Sequence, residues 1–305
     1  STSVEANRVD SMVVTHNTAN GYQAVYSKFF MNANYVNNLQ FLANEVDIDD
    51  YPLFYSYRMN YLNSGSSLIA NNMSNGRIEL SNSENVDVFH NTINVFEGTG
   101  FNSSAMIIGW QSKNCDVRNN IFIGGTRYAL QDDSGDSTHT INNNVYDVAV
   151  AANSKFRIDY TNYADLAAWK ILDKSNNANS VEGIPLFKGQ KDYRVFDNLA
   201  NDIGDNTVGI LVDIDGDVRP AAGATNVDAG ADEYTPALND ATVIGLYQPL
   251  NGCGDSNTTV SAIIQNYGSN ALTSVPVSAT IVGASPSTLT TTYTGGIALG
   301  EIDTV

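Results

Sequence analysis

A short phrase recurs along the first half of this 305-residue chain. It reads apolar, any, apolar, two variable residues, then Asn, any, apolar, and it is clearest at residues 86–93 and 115–122. A third copy spans residues 138–145, and fainter copies occur earlier. A phrase that returns every ~20 to 29 residues, with strand-like alternation and no helical periodicity, is typical of a solenoid whose coils stack on one another. We therefore predict a repetitive, all-β architecture.

The recurrent Asn lies between two short segments of alternating polarity, which predicts a corner between two strands with one buried face. A corner needs a residue that tolerates the left-handed backbone region, and Asn does so better than any other non-Gly residue. Stacked coils also allow each side-chain amide to hydrogen-bond to the amides above and below it. We predict a structural ladder formed by Asn17, Asn44, Asn71, Asn91, Asn120 and Asn143.

The alignment of the copies also predicts which side chains enter the core. It turns Cys115 and Thr140 inward, and Cys115 is expected to be a buried free thiol. A further strand precedes each phrase, and its alternation turns Trp110 inward as well. An inward Trp favours core packing over a platform for sugar stacking. His16 and His90 share one position of the repeat, which favours a role in stacking over a unique catalytic step.

These features resemble the right-handed parallel β-helix, the pectate-lyase-like fold of many secreted bacterial proteins. The resemblance covers residues 1–235 and implies a fold only, because a solenoid repeat encodes packing and not activity. Residues 1–150 are expected to form the coils. The first residues already read as a coil in progress, so further coils and an export signal are expected upstream. Residues 151–235 are expected to hold the last coils and a closing region.

One helix is predicted in this closing region, after the repeat fades. Asn162 is the expected N-cap, with Asp165 three residues later, and Leu166 and Trp169 provide an apolar side. A Pro-Leu-Phe strand follows at residues 185–187.

Two acidic motifs come next, at residues 213–220 and 228–233. Their succession after a Trp-containing helix resembles the C-terminal end of secreted bacterial β-helix proteins, where such motifs close the solenoid. Alternating carboxylates around a Gly are also how calcium loops supply oxygen ligands, although the Glu of the twelfth loop position is absent. We favour a tight turn whose carboxylates accept backbone N–H bonds, with Arg219 pairing Asp228 or Asp232. Ca²⁺ is the one cofactor left open, with candidate ligands Asp213, Asp215 and Asp217.

From residue 236 the pattern changes to strands joined by Gly, Ser and Asn turns, which predicts a small Ig-like β-sandwich over residues 236–305. Residues 260–268 and 295–305 resemble bacterial cell-adhesion-related (CARDB-like) domains. In those domains a strand ends in Asn-x-Gly, and a later strand follows an apolar-x-x-Gly turn, here at residues 297–300. The sandwich is expected to be incomplete by one or two strands.

The charge of the chain excludes some classes of partner. The chain has 33 Asp and Glu against 15 Lys and Arg, a net charge of −18. Such a surface repels phosphate backbones, so no nucleic-acid partner is expected. No stretch reaches the ~18 apolar residues of a membrane span, so no membrane insertion is expected. A low content of charged residues, 16%, with abundant Asn, Ser, Thr and Gly, is typical of extracellular β proteins.

The resemblance to the pectate-lyase-like β-helix implies that, if this chain is an enzyme, it cleaves acidic polysaccharide. Elimination needs a base and a cation beside the uronate carboxylate, and hydrolysis needs two or three carboxylates. Asp132 and Asp133 are the best carboxylate pair, but the downstream motifs of polygalacturonase-like hydrolases are absent, which favours solvated loop carboxylates. Lys113, Arg118 and Arg127 could form a basic island that serves a lyase, although counter-charges to nearby Asp residues are the favoured interpretation.

The sequence contains no complete catalytic constellation, and its C-terminal region resembles adhesion domains. It therefore favours a monomeric, secreted or cell-surface module that binds a polysaccharide or cell-surface glycan, or that is purely architectural. The alternative is a polysaccharide lyase or glycoside hydrolase that acts on an acidic polysaccharide.

Overall fold

The first part of the chain forms a parallel β-solenoid, and the second forms a small antiparallel β-structure. A computed structural model describes residues 4–21, 31–48, 57–60, 62, 67–95, 104–149, 154–172, 176–189, 192–235, 237–249, 258–283 and 285–305. The chain divides into two compact units, Ser1–Tyr234 and Thr235–Val305. The predicted all-β class and the parallel solenoid are confirmed.

Each coil of the first unit adds one short strand to each of three sheets. The strands are β1 (Val4–Val9), β2 (Met12–Thr15), β3 (Thr18–Gly21), β4 (Met31–Val36), β5 (Leu39–Leu42), β6 (Glu45–Ile48), β7 (Tyr57–Asn60), β8 (Ser67–Ala70), β9 (Met73–Ser74), β10 (Ile78–Ser81), β11 (Val86–Phe89), β12 (Thr92–Asn94), β13 (Met106–Ile108), β14 (Asp116–Arg118), β15 (Ile121–Gly124), β16 (Leu130–Asp132), β17 (Thr140–Asn142), β18 (Val145–Val148), β19 (Phe156–Ile158), β20 (Thr161–Tyr163) and β21 (Val181–Glu182). The first sheet has the order β1-β4-β7-β10-β13-β16-β19-β20, the second β17-β14-β11-β8-β5-β2 and the third β21-β18-β15-β12-β9-β6-β3. Only β19 and β20 pair antiparallel among them.

The strand register differs by one residue from the predicted alignment in two copies of the repeat. Val88 pairs with Val117 on one side and with Ile69 on the other. Val117 pairs in turn with Ile141. Thr140, expected in the core, is therefore exposed, and Ile141 is buried in its place. The prediction for Thr140 is wrong because a slip of one residue turns every side chain of a strand to the other face.

An asparagine ladder runs along the corner between the second and third sheets. At Asn91, which is fully buried, Nδ2 donates to Oδ1 of Asn120 at 2.9 Å, and Oδ1 accepts from Nδ2 of Asn72 at 2.8 Å. The last backbone N–H of the ladder, that of Asn144, donates to Oγ of Ser180 at 3.0 Å. The members are Asn17, Asn44, Asn72, Asn91, Asn120 and Asn144.

Asn71 and Asn143 were predicted as ladder residues, and this prediction is wrong. Each directly precedes a ladder Asn and has a left-handed backbone with a φ of 55°. Every ladder Asn is preceded by such a residue, so the left-handed corner and the amide ladder occupy two adjacent positions of the repeat. The left-handed position holds His16, Ala43, Asn71, His90, Asn119 and Asn143.

The predicted helix is present as α1 (Leu166–Leu172). It packs Leu166 and Trp169 into the core of the solenoid. Its N-terminus differs from the prediction, because Oδ1 of Asp165 accepts the backbone N–H three residues later at 2.7 Å. Asp165 is therefore the N-cap, and Asn162 instead lies in the extended strand β20.

Residues 199–234, which we call the strap, run over the outer face of the third sheet. Ala200 and Ala229 of the strap pack against Ile121, Ile123 and Val145 of that sheet. A single turn of 3₁₀-helix (Asn206–Val208) is the only helix that the structure describes in the strap. The acidic motifs therefore cover a side of the solenoid, which leaves the middle strands of this sheet, β12 and β15, buried on both faces.

The strap is hydrogen-bonded to the left-handed positions of the solenoid corner. Nδ2 of Asn71 donates to the carbonyl of Val212 at 2.7 Å, and Nδ2 of Asn143 donates to the carbonyl of Ile203 at 2.7 Å. Oδ1 of Asn119 accepts the backbone N–H of Asp205 at 2.8 Å. These amides give the backbone of an irregular segment the partners that a strand would otherwise provide.

Arg219 is a buried residue that ties the strap to itself. Its Nη1 lies 2.9 Å from Oε2 of Glu233, and both side chains are almost completely buried. The prediction that Arg219 pairs with the carboxylate of Asp228 or Asp232 is therefore wrong. The carboxylate of Asp228 instead accepts the backbone N–H of Asp202 and of Tyr234, each at 2.7 Å.

The second unit contains two antiparallel sheets, consistent with a small β-sandwich. One consists of β22 (Ala241–Gln248), β23 (Ser261–Asn266) and β26 (Ile302–Thr304), and the other of β24 (Val275–Ile281) and β25 (Ser287–Tyr293). Its core is formed by Ile264, Leu272, Val275, Tyr293 and Ile297.

The two remaining structural predictions concern the thiol and the membrane. Cys115 is buried and free, as predicted. In the described residues, no helix has both the length and the apolar character needed to cross a bilayer.

Candidate functional site

A polar groove lies at the corner between the first and second sheets. Three successive coils contribute to it, because the connections β10–β11, β13–β14 and β16–β17 all turn at this corner. The groove has a volume of about 460 Å³. Its walls consist of Asn82, Glu84, Gln111, Lys113, Ser134, Gly135 and Asp136.

Trp110 borders this groove through its backbone, and the residue is 66% exposed. It directly precedes Gln111 in the groove wall, and its carbonyl accepts the backbone N–H of Asn82 at 3.0 Å. The structure thus overturns the prediction that Trp110 points into the core. An exposed Trp next to a set of polar side chains combines an apolar surface with hydrogen-bonding groups.

The exposure of Trp110 follows from the end of β13 at Ile108. The chain then turns, with the backbone N–H of Ser112 donating to the carbonyl of Gly109 at 3.2 Å. Gly109 permits this path, since a Cβ there would lie only 2.9 Å from the carbonyl oxygen of Leu80. The predicted alternation required the strand to continue to Trp110, whereas the residue lies in the turn.

Two opposite charges face each other across neighbouring coils of the groove. Glu84 and Lys113 are direct neighbours in a parallel β-bridge. Glu84 is half-buried and Lys113 is exposed, and neither side chain forms an ion pair or hydrogen bond within the described part of the chain. Both charged groups are therefore available to a ligand in the groove.

Asp136 is the third charged residue in the groove wall, after Glu84 and Lys113. Its Oδ1 accepts the backbone N–H of Thr138 at 2.6 Å and also the Thr138 hydroxyl. These hydrogen bonds, and to a lesser extent the charge of Lys113, lower the pKa of Asp136 below its ordinary value. The carboxylate is consequently ionised and fixed in place.

A buried network supports the groove from behind. Oγ of Ser134 donates to Oδ1 of Asp132 at 2.6 Å and lies 2.9 Å from Nε2 of His139. The other ring nitrogen of His139 accepts the backbone N–H of Cys115 at 3.0 Å, which assigns the proton of a neutral ring to Nε2. His139 then donates to Ser134, so it does not serve as a general base toward this hydroxyl. The network fixes the loop that carries Gly135 and Asp136.

Asp132 and Asp133, the best carboxylate pair in the sequence, lie in two different environments. Asp132 belongs to the buried network, and burial raises its pKa above the ordinary value. Asp133 accepts from Nε2 of Gln131 at 2.6 Å and pairs with Nε of Arg157 at 3.2 Å. Neither is the solvated loop carboxylate that we favoured, because Asp132 is 5% and Asp133 is 8% exposed. Asp132 thus contacts Ser134 and Asp133 contacts Gln131 and Arg157, so the two carboxylates do not form the pair that hydrolysis needs.

The three basic candidates are not brought together. Arg118 binds Asp116 through two contacts, at 2.7 and 2.6 Å, and also pairs with Asp205 of the strap at 2.7 Å. The guanidinium of Arg127 lies over the ring of Tyr128 at 5.7 Å. Only Lys113 lines the groove. The contacts of Arg118 are those of a counter-charge to local Asp residues.

The candidate calcium ligands form a carboxylate cluster with a different membership. Asp213 and Asp215 come together with Asp232, with ligand atoms within 4.8 Å of one another, and Asp217 is not part of this group. Asp213 accepts the backbone N–H groups of Asp215 and Asp217 at 2.9 and 2.8 Å. Arg194 binds both carboxylate oxygens of Asp215 at 2.7 Å. These contacts fit the tight turn, because a guanidinium already neutralises the exposed side of the cluster.

Most of the groove was not found from the sequence. The signal that could have revealed it is the Gly109–Trp110 pair, where a Gly ends a strand and places the next side chain in a turn. Comparison with known proteins adds no assignment, since no family model, no curated protein and no solved structure matches this chain.

Proposed function

We propose that this chain is a secreted or cell-surface module that binds a glycan, without cleaving it, at the groove beside Trp110. The observation that carries the proposal is the 66% exposed Trp110 next to side chains contributed by three coils. The apolar face of a pyranose ring can stack on an indole, and the ring hydroxyls need the donors and acceptors of the groove wall.

The composition supports a location outside the cell. An acidic chain rich in Asn, Ser, Thr and Gly is typical of extracellular β proteins, and the C-terminal strand pattern resembles adhesion-related domains. The parallel solenoid provides a rigid scaffold, because its third sheet is covered by the strap and its corner is tied by the ladder. A rigid scaffold suits a binding module, since little conformational entropy is lost when the ligand binds.

Binding is favoured over cleavage by the arrangement of the titratable groups. Asp132 and Asp133 face different environments, and the Nε2–H of His139 donates to Ser134. Glycoside hydrolysis needs two carboxylates that flank one bond, and elimination needs a base beside a cation. The Trp110 groove contains the carboxylates of Glu84 and Asp136 and the ammonium group of Lys113. The hydrogen bonds from Thr138 lower the pKa of Asp136, so its carboxylate is a fixed, ionised contact for a ligand and a poor proton donor.

Tryptophan fluorescence tests the proposal, because the chain has two Trp residues and the other one, Trp169, is buried. We expect a glycan that binds the groove to change the emission of Trp110 in titrations against a panel of oligosaccharides. Trp110→Ala should weaken binding of that glycan by at least about tenfold in calorimetry, since a central aromatic contact contributes ≥ 2 kcal/mol.

Tyr160→Asn is the matched control. Tyr160 is an equally exposed aromatic residue in another turn of the solenoid, and Asn tolerates its left-handed backbone. This variant should bind as the parent does. Full binding by Trp110→Ala would overturn the proposed site, and the appearance of new reducing ends or unsaturated products would favour the hydrolase or lyase alternative.

A further inference from the structure

We propose that the Trp110 groove selects saccharides that carry a protonated amino group. This inference rests on the proposed function and specifies its ligand. It is carried by the charges of the groove wall and by the exposed Trp110, whose backbone borders that wall.

The groove has an excess of negative charge. Glu84 and Asp136 contribute two carboxylates, and Lys113 contributes one ammonium group. The charge of Lys113 acts on Asp136 and is one of the causes that lower the pKa of this carboxyl. Lys113 is also the β-bridge neighbour of Glu84, so one ammonium group serves two carboxylates and the groove wall keeps one carboxylate in excess.

A groove wall with one carboxylate in excess, bordered by an exposed Trp, is a suitable site for a cation. A carboxylate accepts charge-assisted hydrogen bonds from an ammonium group, and Trp is the aromatic side chain that attracts cations most strongly. Asn82 and Gln111 lie on the same walls and supply amide groups for the hydroxyls of the sugar ring. An amino sugar matches all three kinds of group at once.

The same charges disfavour acidic sugars. A uronate or sulfate group in the groove would meet Glu84 and the fixed carboxylate of Asp136, and like charges at close range repel. The net charge of −18 adds a long-range repulsion at low ionic strength. The groove therefore differs from a site for acidic polysaccharide, the substrate that the sequence alone suggested for a catalytic protein.

The test compares three tetramers of matched length, namely glucosamine, N-acetylglucosamine and galacturonate, by calorimetry at low salt and slightly acidic pH. The glucosamine tetramer should bind about fivefold more tightly than the acetylated one, as expected for one partly exposed ion pair with a cation–π contribution. The galacturonate tetramer should bind most weakly. Raising the salt concentration should reduce the advantage of the amine and also the repulsion of the galacturonate tetramer, because salt screens both.

Two variants separate the charge effect from the stacking effect. Glu84→Gln removes the excess negative charge of the groove wall but keeps the side-chain shape, so it should abolish the difference between the amine and its acetylated form. Lys113→Gln removes a like charge, so it should strengthen binding of the amine relative to that of the acetylated tetramer by about twofold to fivefold. Circular dichroism of both variants verifies that the fold is retained.

The outcomes distinguish this inference from the proposed function. If the acetylated or the galacturonate tetramer binds more tightly than the amine and Trp110→Ala still abolishes binding, the groove binds glycans but the selectivity is wrong. Unchanged selectivity in Glu84→Gln has the same meaning. If none of the tetramers binds and no other glycan of the panel changes the emission of Trp110, the proposed function itself is overturned, and this inference with it.

Discussion

At the corner between the second and third sheets, two adjacent residues of each coil have separate structural roles. The first adopts the left-handed backbone, and the second places its amide in the ladder. Both tasks favour Asn, so a stretch such as Asn71–Asn72 or Asn143–Asn144 fits the repeat in two registers. The spacing of the copies predicted that a ladder exists and located Asn91 and Asn120 in it. It could not choose between adjacent Asn residues, because only the hydrogen bonds distinguish them.

Removal of a buried amide from the ladder should be costly. Nδ2 of Asn91 donates to Asn120 and also to two backbone carbonyls, and Oδ1 accepts from Asn72. Asn91→Ala leaves these groups buried and unpaired, and each such group costs about 1–3 kcal/mol. We expect a loss of about 3–5 kcal/mol in the free energy of unfolding, measured by chemical denaturation.

The matched control is Asn17→Ala, at the exposed end of the same ladder. Asn17 donates to Asn44 at 2.9 Å, but water can replace its contacts because the residue is exposed. Its loss should cost about 1 kcal/mol or less. Equal effects of the two variants would show that burial of the ladder contributes nothing to stability.

At the scale of elements, predictions succeeded where a local pattern determines the result. The helix α1 was predicted from two apolar residues three apart, Leu166 and Trp169, and both are buried. The strap was predicted only as a closing region, because its position depends on contacts with residues more than 60 positions away, as between Asn119 and Asp205. The Trp110 turn was missed for a related reason, since the close approach of Gly109 to Leu80 is visible only in three dimensions.

His90 makes the stability of the solenoid sensitive to acid at the place where the strap packs against it. The ring is fully buried, Nε2 lies 3.0 Å from Nδ2 of Asn119, and burial followed by the charge of Arg219 lowers the pKa of His90 well below 6.5. Below about pH 6.5, His90 is protonated in the unfolded chain, whereas it stays neutral in the folded chain. The contribution of His90 to stability is therefore lost as the pH falls, by up to about 1.4 kcal/mol per pH unit.

The measurement is the difference in unfolding free energy between the parent and His90→Asn at several values below pH 6.5. This difference should change with pH, because Asn keeps the left-handed backbone but does not titrate. Burial raises the pKa of Asp228 to about 7, so the contribution of Asp228 to stability falls as the pH rises from 3.8 toward 7. This opposite effect is present in the parent and in the variant, so it cancels in the difference between their unfolding free energies. A constant difference for His90→Asn would contradict the prediction.

At the scale of the whole molecule, the two units differ in composition as well as in architecture. Every Lys, Arg, His and Trp of the chain lies in the first unit, and the second unit contains no basic residue. Each unit has a hydrophobic core of its own. The boundary between the units could be predicted from the sequence, because the recurrent phrase with its Asn ends and strands joined by Gly, Ser and Asn turns begin.

Separate cores predict two unfolding transitions. We expect calorimetry to resolve both, with Trp fluorescence following only that of the solenoid, because Trp110 and Trp169 belong to the first unit. Asn91→Ala should lower only the transition seen by fluorescence. Ile264→Ala, which removes a buried side chain from the second core at a cost of about 2–5 kcal/mol, should lower only the other. A single transition that both substitutions shift together would mean that the two units unfold as one cooperative body, and the division of the chain into separately stable parts would then be wrong.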